Sequence, residues 1–295
     1  MQVRRVGVVG GGTMGQGIVM VAAQAGFQVI LRERNEEGLD RAQAAISSFL
    51  DDQINRWGIT PKEKEIILSR ITNSTTYTGF DNVDLVIEAI DEDPDAKEYL
   101  FQTLSDICPE RVIFATNTST LSVSKLANVS GRPDRFIGMH FQPPVPRKPL
   151  VELVRGMVTS DSTYQTVRNF AQEIKKKPIE VFEWPGYVTT RVMMPLINEA
   201  AIALMEGVAS AEDIDKAMEL GCGMQMGPLK FADAMGLDTV VFQMEHLFHE
   251  LGDIKYRPCT LLKKMIRAGH LGMKSGQGFF KYVRPEAAKV YANIA

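Results

Sequence analysis

The sequence predicts an α/β protein in which a doubly wound, mostly parallel β-sheet domain precedes an all-helical domain. Strand-like apolar runs alternate with helix-like segments up to about Trp184, which requires the crossover connections that join parallel strands. After Pro185-Gly186 the strand-like runs stop, and every following segment has helical periodicity. We therefore predict two domains, residues 1–186 and residues 187–295.

The first domain contains seven strand-like runs. In chain order they are Val6–Val9, FQVILRE, VDLVIEAI, VIFAT, RFIGMHF, LVELV and PIEVFE. Helix-like segments run from the early glycines to Gly26, from about Glu36 to Trp57 and from about Asp95 to Ser105. Another helix is predicted after Thr60, where Pro61 and Glu63 complete the pattern of a capping box. The strand VDLVIEAI is almost continuously apolar, as expected when helices cover both faces of a parallel sheet.

The second domain contains three long helix-like segments. They are RVMMPLINEAAIALMEG, SAEDIDKAMEL and LKFADAMGLDTVVFQMEHLFHEL. Ser210 is the predicted N-cap of the second segment, with Glu212 and Asp213 in its first turn. The first and third segments are apolar on too many faces for isolated surface helices. We expect them to be buried against each other, against the first domain or against a second subunit.

Composition and charge exclude several classes of protein. The 295 residues are 45% hydrophobic and 23% charged, and the net charge of −3 predicts no binding to nucleic acid or to an anionic membrane. No apolar run reaches the roughly 20 residues of a membrane-spanning helix, and no secretory leader is recognisable. Three scattered cysteines and four histidines without ligand spacing predict no disulfide and no metal site. These features favour a cytoplasmic protein.

A glycine-rich turn follows the first strand. Gly10, Gly12 and Gly15 form the pattern G-x-G-x-x-G between a strand and a helix. In such a turn the first glycine allows a tight bend, the second lets a pyrophosphate approach the backbone, and the third lets helix and strand pack closely. The following helix begins near Thr13 and Met14, and its N-terminus offers free N–H groups to an anion. This stretch therefore predicts a site for a dinucleotide cofactor.

The end of the second strand predicts which dinucleotide binds. Glu33 lies 18 residues beyond Gly15, where a carboxylate accepts hydrogen bonds from the adenosine ribose. A 2′-phosphate would meet this negative charge, so the pattern favours NAD over NADP. Arg32 and Arg34 flank Glu33, however, and arginine is the residue that binds a 2′-phosphate. The sequence thus favours NAD and leaves NADP open.

One histidine and one glutamate are candidates for proton transfer. His140 lies near the end of RFIGMHF, just before a proline-rich loop, at the sheet edge that faces the cofactor in such folds. Histidine titrates near neutral pH and therefore suits acid–base catalysis. Glu152 is a lone carboxylate within the apolar strand LVELV, and pairing with the imidazole would offset the cost of its burial. The alternatives are a structural histidine and a glutamate that faces solvent on an edge strand.

A polar loop follows the buried strand VIFAT. It contains Asn117, Thr118, Ser119 and Thr120, which are small hydrogen-bonding side chains at a second position near the predicted cofactor. The alternative is an ordinary turn in which Ser119 or Ser122 caps the next helix.

Taken together and in order, these motifs resemble the L-3-hydroxyacyl-CoA dehydrogenase family, especially its 3-hydroxybutyryl-CoA dehydrogenase branch. The resemblance spans about residues 5–282. It rests on GVVGGGTMGQGI, DLVIEAI, ATNTSTLSVSKLA, RFIGMHFQPPVPRKPLVELVRG, PGYVTTRVMMPLINEA, DKAMELGCGMQMGPLKFADAMGLD and KSGQGFFKY. It implies an NAD-binding Rossmann-like domain, a helical domain that forms a homodimer, and interconversion of an L-3-hydroxyacyl-CoA and a 3-ketoacyl-CoA.

The resemblance also implies roles for individual residues. His140 matches the catalytic histidine, and Glu152 matches the carboxylate paired with it. Ser119 matches the serine that contacts the substrate oxygen and the cofactor. The positions that match further cofactor contacts are Glu92, Lys97 and Lys274.

Two departures from the family pattern concern recognition of the substrate carbonyl. Thr190 occupies the position of a catalytic asparagine, so that a shorter hydroxyl replaces an amide donor. Pro143 replaces a second asparagine near the nicotinamide, and proline has no donor to offer. Gln142, the preceding residue, is a candidate to compensate for this loss.

A third departure concerns the CoA moiety. The helix after the second strand carries serine and lysine contacts for CoA in the family, and here Phe49 and Arg56 stand at those positions. Arg56 retains a group that binds phosphate. Asp51 and Asp52 lie between these two positions and would repel phosphate if they faced the same way.

Three functional hypotheses follow. The leading one is an NAD-dependent 3-hydroxyacyl-CoA dehydrogenase for a short-chain substrate of the 3-hydroxybutyryl-CoA type, with Thr190 and Arg56 among the substrate contacts. The alternative, favoured by Thr190 and Pro143, is a dehydrogenase of a free 3-hydroxy acid or a related small molecule on the same fold. The third is a dinucleotide-binding protein with weakened catalysis that serves a structural or regulatory partner, and the presence of His140, Glu152 and Ser119 argues against it.

Overall fold

The computed structural model describes residues 2–282. They divide into two compact units between Trp184 and Pro185. The first unit contains an eight-stranded sheet with helices, and the second is built from helices, so the predicted order of an α/β domain and a helical domain is confirmed.

The sheet of the first unit has the strand order β3-β2-β1-β4-β5-β6-β7-β8. Its strands are β1 (Arg5–Val9), β2 (Gln28–Arg32), β3 (Ile71–Ser74), β4 (Leu85–Glu88), β5 (Ile113–Thr116), β6 (Phe136–Phe141), β7 (Leu150–Arg155) and β8 (Lys177–Phe182). All neighbours pair in parallel except β6 and β7, which are antiparallel. The sheet is therefore mostly parallel, as predicted. The strand β3 is an addition to the predicted series, because its short and half-polar sequence ITNS gives little strand signal.

Six helices belong to the first unit. They are α1 (Thr13–Gln24), α2 (Glu36–Asn55), α3 (Pro61–Leu68), α4 (Pro94–Ile107), α5 (Val123–Val129) and α6 (Asp161–Glu173). The capping box predicted for α3 is confirmed, because Thr60 accepts from the Glu63 N–H and Glu63 accepts from the Thr60 N–H. Ser122, one of the two serines named as a possible cap, is the N-cap of α5, whereas α6, which begins after the N-cap Ser160, was not predicted from the sequence.

The core of the first unit lies on both faces of the central strands. Every residue of β4, β5 and β6 is buried, which confirms the prediction that nearly continuous apolar strands are covered on both faces. Because these strands are buried along their whole length, a ligand can contact polar side chains only at the carboxyl ends of the strands and in the loops that follow.

Five α-helices lie in the second unit within residues 185–282. They are α7 (Thr189–Met205), α8 (Ala211–Cys222), α9 (Pro228–Met235), α10 (Leu237–Leu251) and α11 (Thr260–Arg267). Ser210 caps α8 as predicted, since its hydroxyl accepts from the Asp213 N–H. The single helix predicted over LKFADAMGLDTVVFQMEHLFHEL is wrong. Gly236, with a φ of 93°, divides it into α9 and α10, because a helix cannot continue through that backbone conformation. The helix α11 was not predicted.

No helix within residues 2–282 is long and apolar enough to cross a membrane.

Candidate active site

The glycine-rich turn joins β1 to α1, and its three motif glycines differ in their surroundings. Gly10 has a φ of 104°, and a Cβ there would lie 2.5 Å from the carbonyl oxygen of Ala89. A Cβ on Gly15 would lie 1.8 Å from the carbonyl oxygen of Gly10. By contrast, a Cβ on Gly12 would meet no atom within 4 Å. The fold thus requires Gly10 and Gly15, whereas at Gly12 it leaves open space in front of the α1 N-terminus.

The groups that border this open space are suited to binding an anion. Thr13 and Met14 begin α1, and Gly12 at its N-cap makes no side-chain capping bond. The first N–H groups of a helix have no partner within the helix and attract negative charge. A diphosphate could accept hydrogen bonds from these N–H groups, and there is room for it beside the backbone. The turn therefore fits the diphosphate of the predicted dinucleotide cofactor.

Glu33 lies directly after β2 and reaches back to the glycine turn. Its carboxylate accepts from the Gly11 N–H at 2.7 Å and from the Arg34 N–H at 2.6 Å. The guanidinium of Arg32 lies over the ring of Tyr77, 4.6 Å from its centroid. The structure therefore brings a carboxylate to the glycine turn, while the Arg32 guanidinium packs on the ring of Tyr77.

A buried ion-pair network lies at the carboxyl end of β4. Lys97 on α4 is 1% exposed, and its ammonium lies 2.5 Å from Glu88 and 3.2 Å from Glu92. Glu88, which is fully buried, also accepts from the hydroxyl of Thr116 at 2.6 Å and from the Ile90 N–H at 2.7 Å. Burial raises the pKa of Glu88 despite these partners. Lys97 thus links a buried strand end to the loop that carries Glu92.

Glu92 holds the polar loop that follows β5. Its Oε1 accepts from the N–H groups of Ser119 at 2.9 Å and Thr120 at 3.2 Å, and from the hydroxyls of Thr118 and Thr120. Burial alone would raise the pKa of Glu92, but the Lys97 ammonium and these donors outweigh it and hold the pKa below its usual range. One carboxylate therefore fixes the backbone around Ser119.

His140 and Glu152 are directly opposite each other in the antiparallel register of β6 and β7. The Nδ1 of His140 lies 2.6 Å from the Oε2 of Glu152. His140 is 7% exposed and Glu152 is fully buried. Because a carboxylate can only accept, Nδ1 carries the proton of this bond and Nε2 is left as the basic nitrogen. The predicted pair is therefore assembled, and neither residue is a lone polar group in the core.

Arg56 lies at a different part of the first unit, at the C-terminal end of α2. It lines a cavity of about 690 Å³ that is also lined by Arg70, Lys175 and Lys176. Asp51 forms an ion pair with Lys64 of α3 at 2.6 Å and is not among the lining residues. Glu63 lines the cavity as well, and the Lys176 ammonium donates to the carbonyl oxygens of Val145 and Lys148, so the lining carries an excess of positive over negative side chains.

Two of the predicted site residues belong to the second unit. Thr190 is buried in the first turn of α7. Lys274 forms an ion pair with Asp238 at 2.6 Å. Asp233 on α9 accepts from the N–H groups of Phe279 and Phe280, both at 3.0 Å, and so fixes the segment that follows Lys274.

Glu88 is a functional candidate that the sequence analysis missed. It has the same signature as Glu152, namely a single carboxylate in an otherwise apolar strand, and could have been found on that ground. Its partner Lys97 was predicted only as a cofactor contact. In the structure Lys97 joins Glu88 to Glu92.

Two family models match the chain. The model for 3-hydroxyacyl-CoA dehydrogenase, NAD binding domain, matches residues 5–184. The model for 3-hydroxyacyl-CoA dehydrogenase, C-terminal domain, matches residues 186–282. Together they span nearly all of the described residues.

Individual relatives agree with these models. The chain is 46% identical over 278 residues to a "Probable 3-hydroxybutyryl-CoA dehydrogenase" of Deinococcus radiodurans, covering 94% of this chain and 100% of the relative. It is 42% identical to a 3-hydroxybutyryl-CoA dehydrogenase of Clostridioides difficile, covering 94% and 99%. The crystal structure of an (S)-3-hydroxybutyryl-CoA dehydrogenase from Ralstonia eutropha superposes with a TM-score of 0.92 at 44% identity, covering 96% of this chain and 100% of that one.

Two alanine substitutions in the glycine turn should affect different properties, one the affinity for NADH and the other the stability of the fold. Gly12→Ala should lower the free energy of unfolding by less than about 1 kcal/mol, because its Cβ meets nothing. It should nevertheless weaken NADH binding at least about tenfold, since the methyl group fills the space for the diphosphate. Gly15→Ala should destabilise the protein by about 3 kcal/mol or more through its clash with Gly10.

Thermal unfolding without ligand and fluorescence titration with NADH measure these two effects separately. Unchanged NADH affinity in a folded Gly12→Ala variant would contradict the assignment of this turn.

Proposed function

Because the chain belongs to the 3-hydroxyacyl-CoA dehydrogenase family, we propose that it interconverts a short-chain L-3-hydroxyacyl-CoA, of the 3-hydroxybutyryl-CoA type, and the matching 3-ketoacyl-CoA. The observation that carries the proposal is the 2.6 Å contact between His140 and Glu152 at the carboxyl end of β6. It supplies the acid–base group that oxidation of a secondary alcohol requires.

In this proposal the role of the protein in the chemical step is to transfer one proton between the substrate oxygen and His140. The Nε2 of His140 takes the proton of the substrate hydroxyl, while Glu152 accepts from Nδ1 and stabilises the imidazolium that forms. Ser119, on the loop fixed by Glu92, orients the reacting oxygen. NAD held at the glycine turn that contains Gly10, Gly12 and Gly15 would supply the hydride acceptor for this oxidation. In the reverse reaction His140 returns the proton to the ketone oxygen.

Lys97 serves this site through Glu92. Its ammonium is buried between two carboxylates, so it acts by holding Glu92 ionised and in place. Glu92 in turn keeps the Ser119 backbone at the carboxyl end of β5. We assign Thr190 to the acyl carbonyl and Lys274 to the cofactor on the basis of their positions in the family motifs.

Replacement of His140 tests the proton transfer. His140→Gln should lower kcat by about 10³-fold, within the range that general acid–base catalysis contributes. The dissociation constant for NADH should remain within about twofold, because His140 is not part of the glycine turn. Steady-state reduction of acetoacetyl-CoA and NADH titration measure the two quantities. An unchanged kcat would overturn the assignment.

The cofactor is proposed to be NAD in preference to NADP. The support is the Glu33 carboxylate at the glycine turn, which suits a ribose hydroxyl and repels a 2′-phosphate. Arg32 is engaged with the ring of Tyr77.

Glu33→Ala should raise the KM for NADH about tenfold and narrow the preference for NADH over NADPH, because the ribose loses its acceptor and a 2′-phosphate loses its repulsion. Arg34→Ala is the matched control and should leave the KM for NADH nearly unchanged. Kinetics with both nucleotides provide the test. A wild-type enzyme that uses NADPH faster than NADH would refute the preference.

The CoA moiety is proposed to bind with Arg56. The support is the cavity that Arg56 lines together with Lys175, since the nucleotide end of CoA carries three phosphates. The ion pair of Asp51 with Lys64 reduces the repulsion anticipated from the sequence.

Turnover should require the thioester. We expect rapid NADH oxidation with acetoacetyl-CoA and a kcat/KM lower by at least about 100-fold with free acetoacetate, because the free acid lacks the nucleotide contacts. Arg56→Ala should raise the KM for acetoacetyl-CoA about tenfold at unchanged kcat. It should leave the kinetics of an acetoacetyl-N-acetylcysteamine thioester unaltered, since that substrate has no phosphates. Faster turnover of free acetoacetate would favour a dehydrogenase of free hydroxy acids.

The active form is proposed to be a homodimer assembled through the second unit. The support is a set of large apolar side chains that lie at the surface of that unit, where a second subunit would cover them. They include Val192, Val208, Leu220, Phe242 and Ile254.

A further inference from the structure

Trp57 lies just beyond the end of α2 with its side chain in solvent. It is 96% exposed, more than any other large apolar residue within residues 2–282. Its φ of 59° is the left-handed conformation that favours glycine at a helix C-terminus. The Trp57 N–H donates to the carbonyl of Ile54 at 2.9 Å, and the Gly58 N–H donates to that of Gln53 at 2.8 Å, which completes this helix ending. The indole therefore gains no burial at a backbone position that suits a smaller residue better.

Trp57 stands at the rim of the cavity that Arg56 lines. Its two neighbours in the chain, Arg56 and Gly58, are both lining residues. Lys175 lines the same cavity and has a φ of 61°. Within residues 2–282, Trp57 and Lys175 are two of the three residues other than glycine with a positive φ. Because such conformations are costly and cluster where ligands bind, their presence beside one cavity indicates a binding site.

We propose that the indole of Trp57 stacks on the adenine base of CoA. The inference rests on the proposed function, in which Arg56 binds a phosphate of that nucleotide. One ribose joins the base to the phosphates, and Trp57 follows Arg56 directly, so the base is within reach of the indole. A nucleobase offers a flat face to an aromatic side chain, and stacking removes both surfaces from water.

The length of α2 separates this base from the adenine of NAD. Glu33, the proposed partner of the NAD ribose, precedes the first turn of α2, whereas Trp57 follows its last residue. A helix of 20 residues spans about 30 Å. Trp57 is therefore near the opposite end of α2 from the NAD ribose, and the nucleotide that it can contact is CoA.

The fluorescence of Trp57 tests the stacking without turnover. The chain has two tryptophans, so Trp184→Phe leaves Trp57 as the single one. CoA and adenosine 3′,5′-bisphosphate should each quench its emission to saturation, because the stacked base replaces the water around the ring. 4′-Phosphopantetheine keeps a phosphate but has no base, and should not quench. If Trp184→Phe fails to fold, the difference between wild type and Trp57→Phe reports the same signal.

Steady-state kinetics measure what the stacking contributes. Trp57→Ala should raise the KM for acetoacetyl-CoA about tenfold at unchanged kcat, within the range for one stacked base. Trp57→Phe should recover most of the affinity, because a phenyl ring also stacks. Neither variant should alter the kinetics of the acetoacetyl-N-acetylcysteamine thioester, which has no base.

Replacement by glycine separates binding from folding. Glycine adopts the left-handed conformation without strain, so Trp57→Gly should unfold at a temperature at least equal to that of wild type. Its KM for acetoacetyl-CoA should nevertheless rise as in Trp57→Ala. An indole that served only to pack the fold would give the reverse result, a lower unfolding temperature with an unchanged KM.

Two results would overturn the stacking and leave the proposed function standing. One is a KM for acetoacetyl-CoA within about twofold of wild type in Trp57→Ala. The other is the absence of quenching at CoA concentrations above the KM in an enzyme that turns over the thioester. A wild-type enzyme inactive on acetoacetyl-CoA would overturn the proposed function, and this inference with it.

Discussion

The antiparallel pairing of β6 with β7 is the constraint on which the candidate site depends. It places Glu152 directly opposite His140, with the carboxylate fully buried and 2.6 Å from Nδ1. A shift of β7 by one residue against β6 would turn Glu152 to the other face of the sheet and leave His140 without its carboxylate. Since an unpaired buried carboxylate is costly, the pairing satisfies Glu152 and at the same time fixes which nitrogen of His140 is basic.

Three further carboxylates of the first unit hold polar groups in place. Glu33 binds the glycine turn, Glu92 binds the loop that carries Ser119, and Glu88 holds Lys97 beneath it. Each lies at or just beyond the carboxyl end of a strand that is covered by helices. The groups are therefore positioned before any ligand arrives, which is the arrangement that lowers the cost of reorganisation during a reaction.

Much of this was predictable, and the omissions have physical reasons. The spacing of the turn motif predicted Gly10 and Gly15. The pairing of His140 with Glu152 was predicted because an unpaired buried carboxylate is costly, although a solvent-facing glutamate remained an alternative. The direction of β7 was not predicted, although the connection QPPVPRKP is too short for a parallel crossover. Gly236 was passed over because an isolated glycine is tolerated in helices. The hold of Glu92 on the backbone of Ser119 depends on side-chain placement in two loops, which no periodicity encodes.

The tautomer of His140 tests the central claim most directly. Nitrogen NMR of the protein labelled with ¹⁵N-histidine, with His140 assigned by comparison with His140→Gln, distinguishes a protonated from an unprotonated ring nitrogen. We predict that Nδ1 carries the proton at a pH where the ring is neutral, and that Glu152→Gln removes this preference, because a carboxylate can only accept. A proton on Nε2 in the native protein, or a tautomer unchanged by Glu152→Gln, would contradict the account.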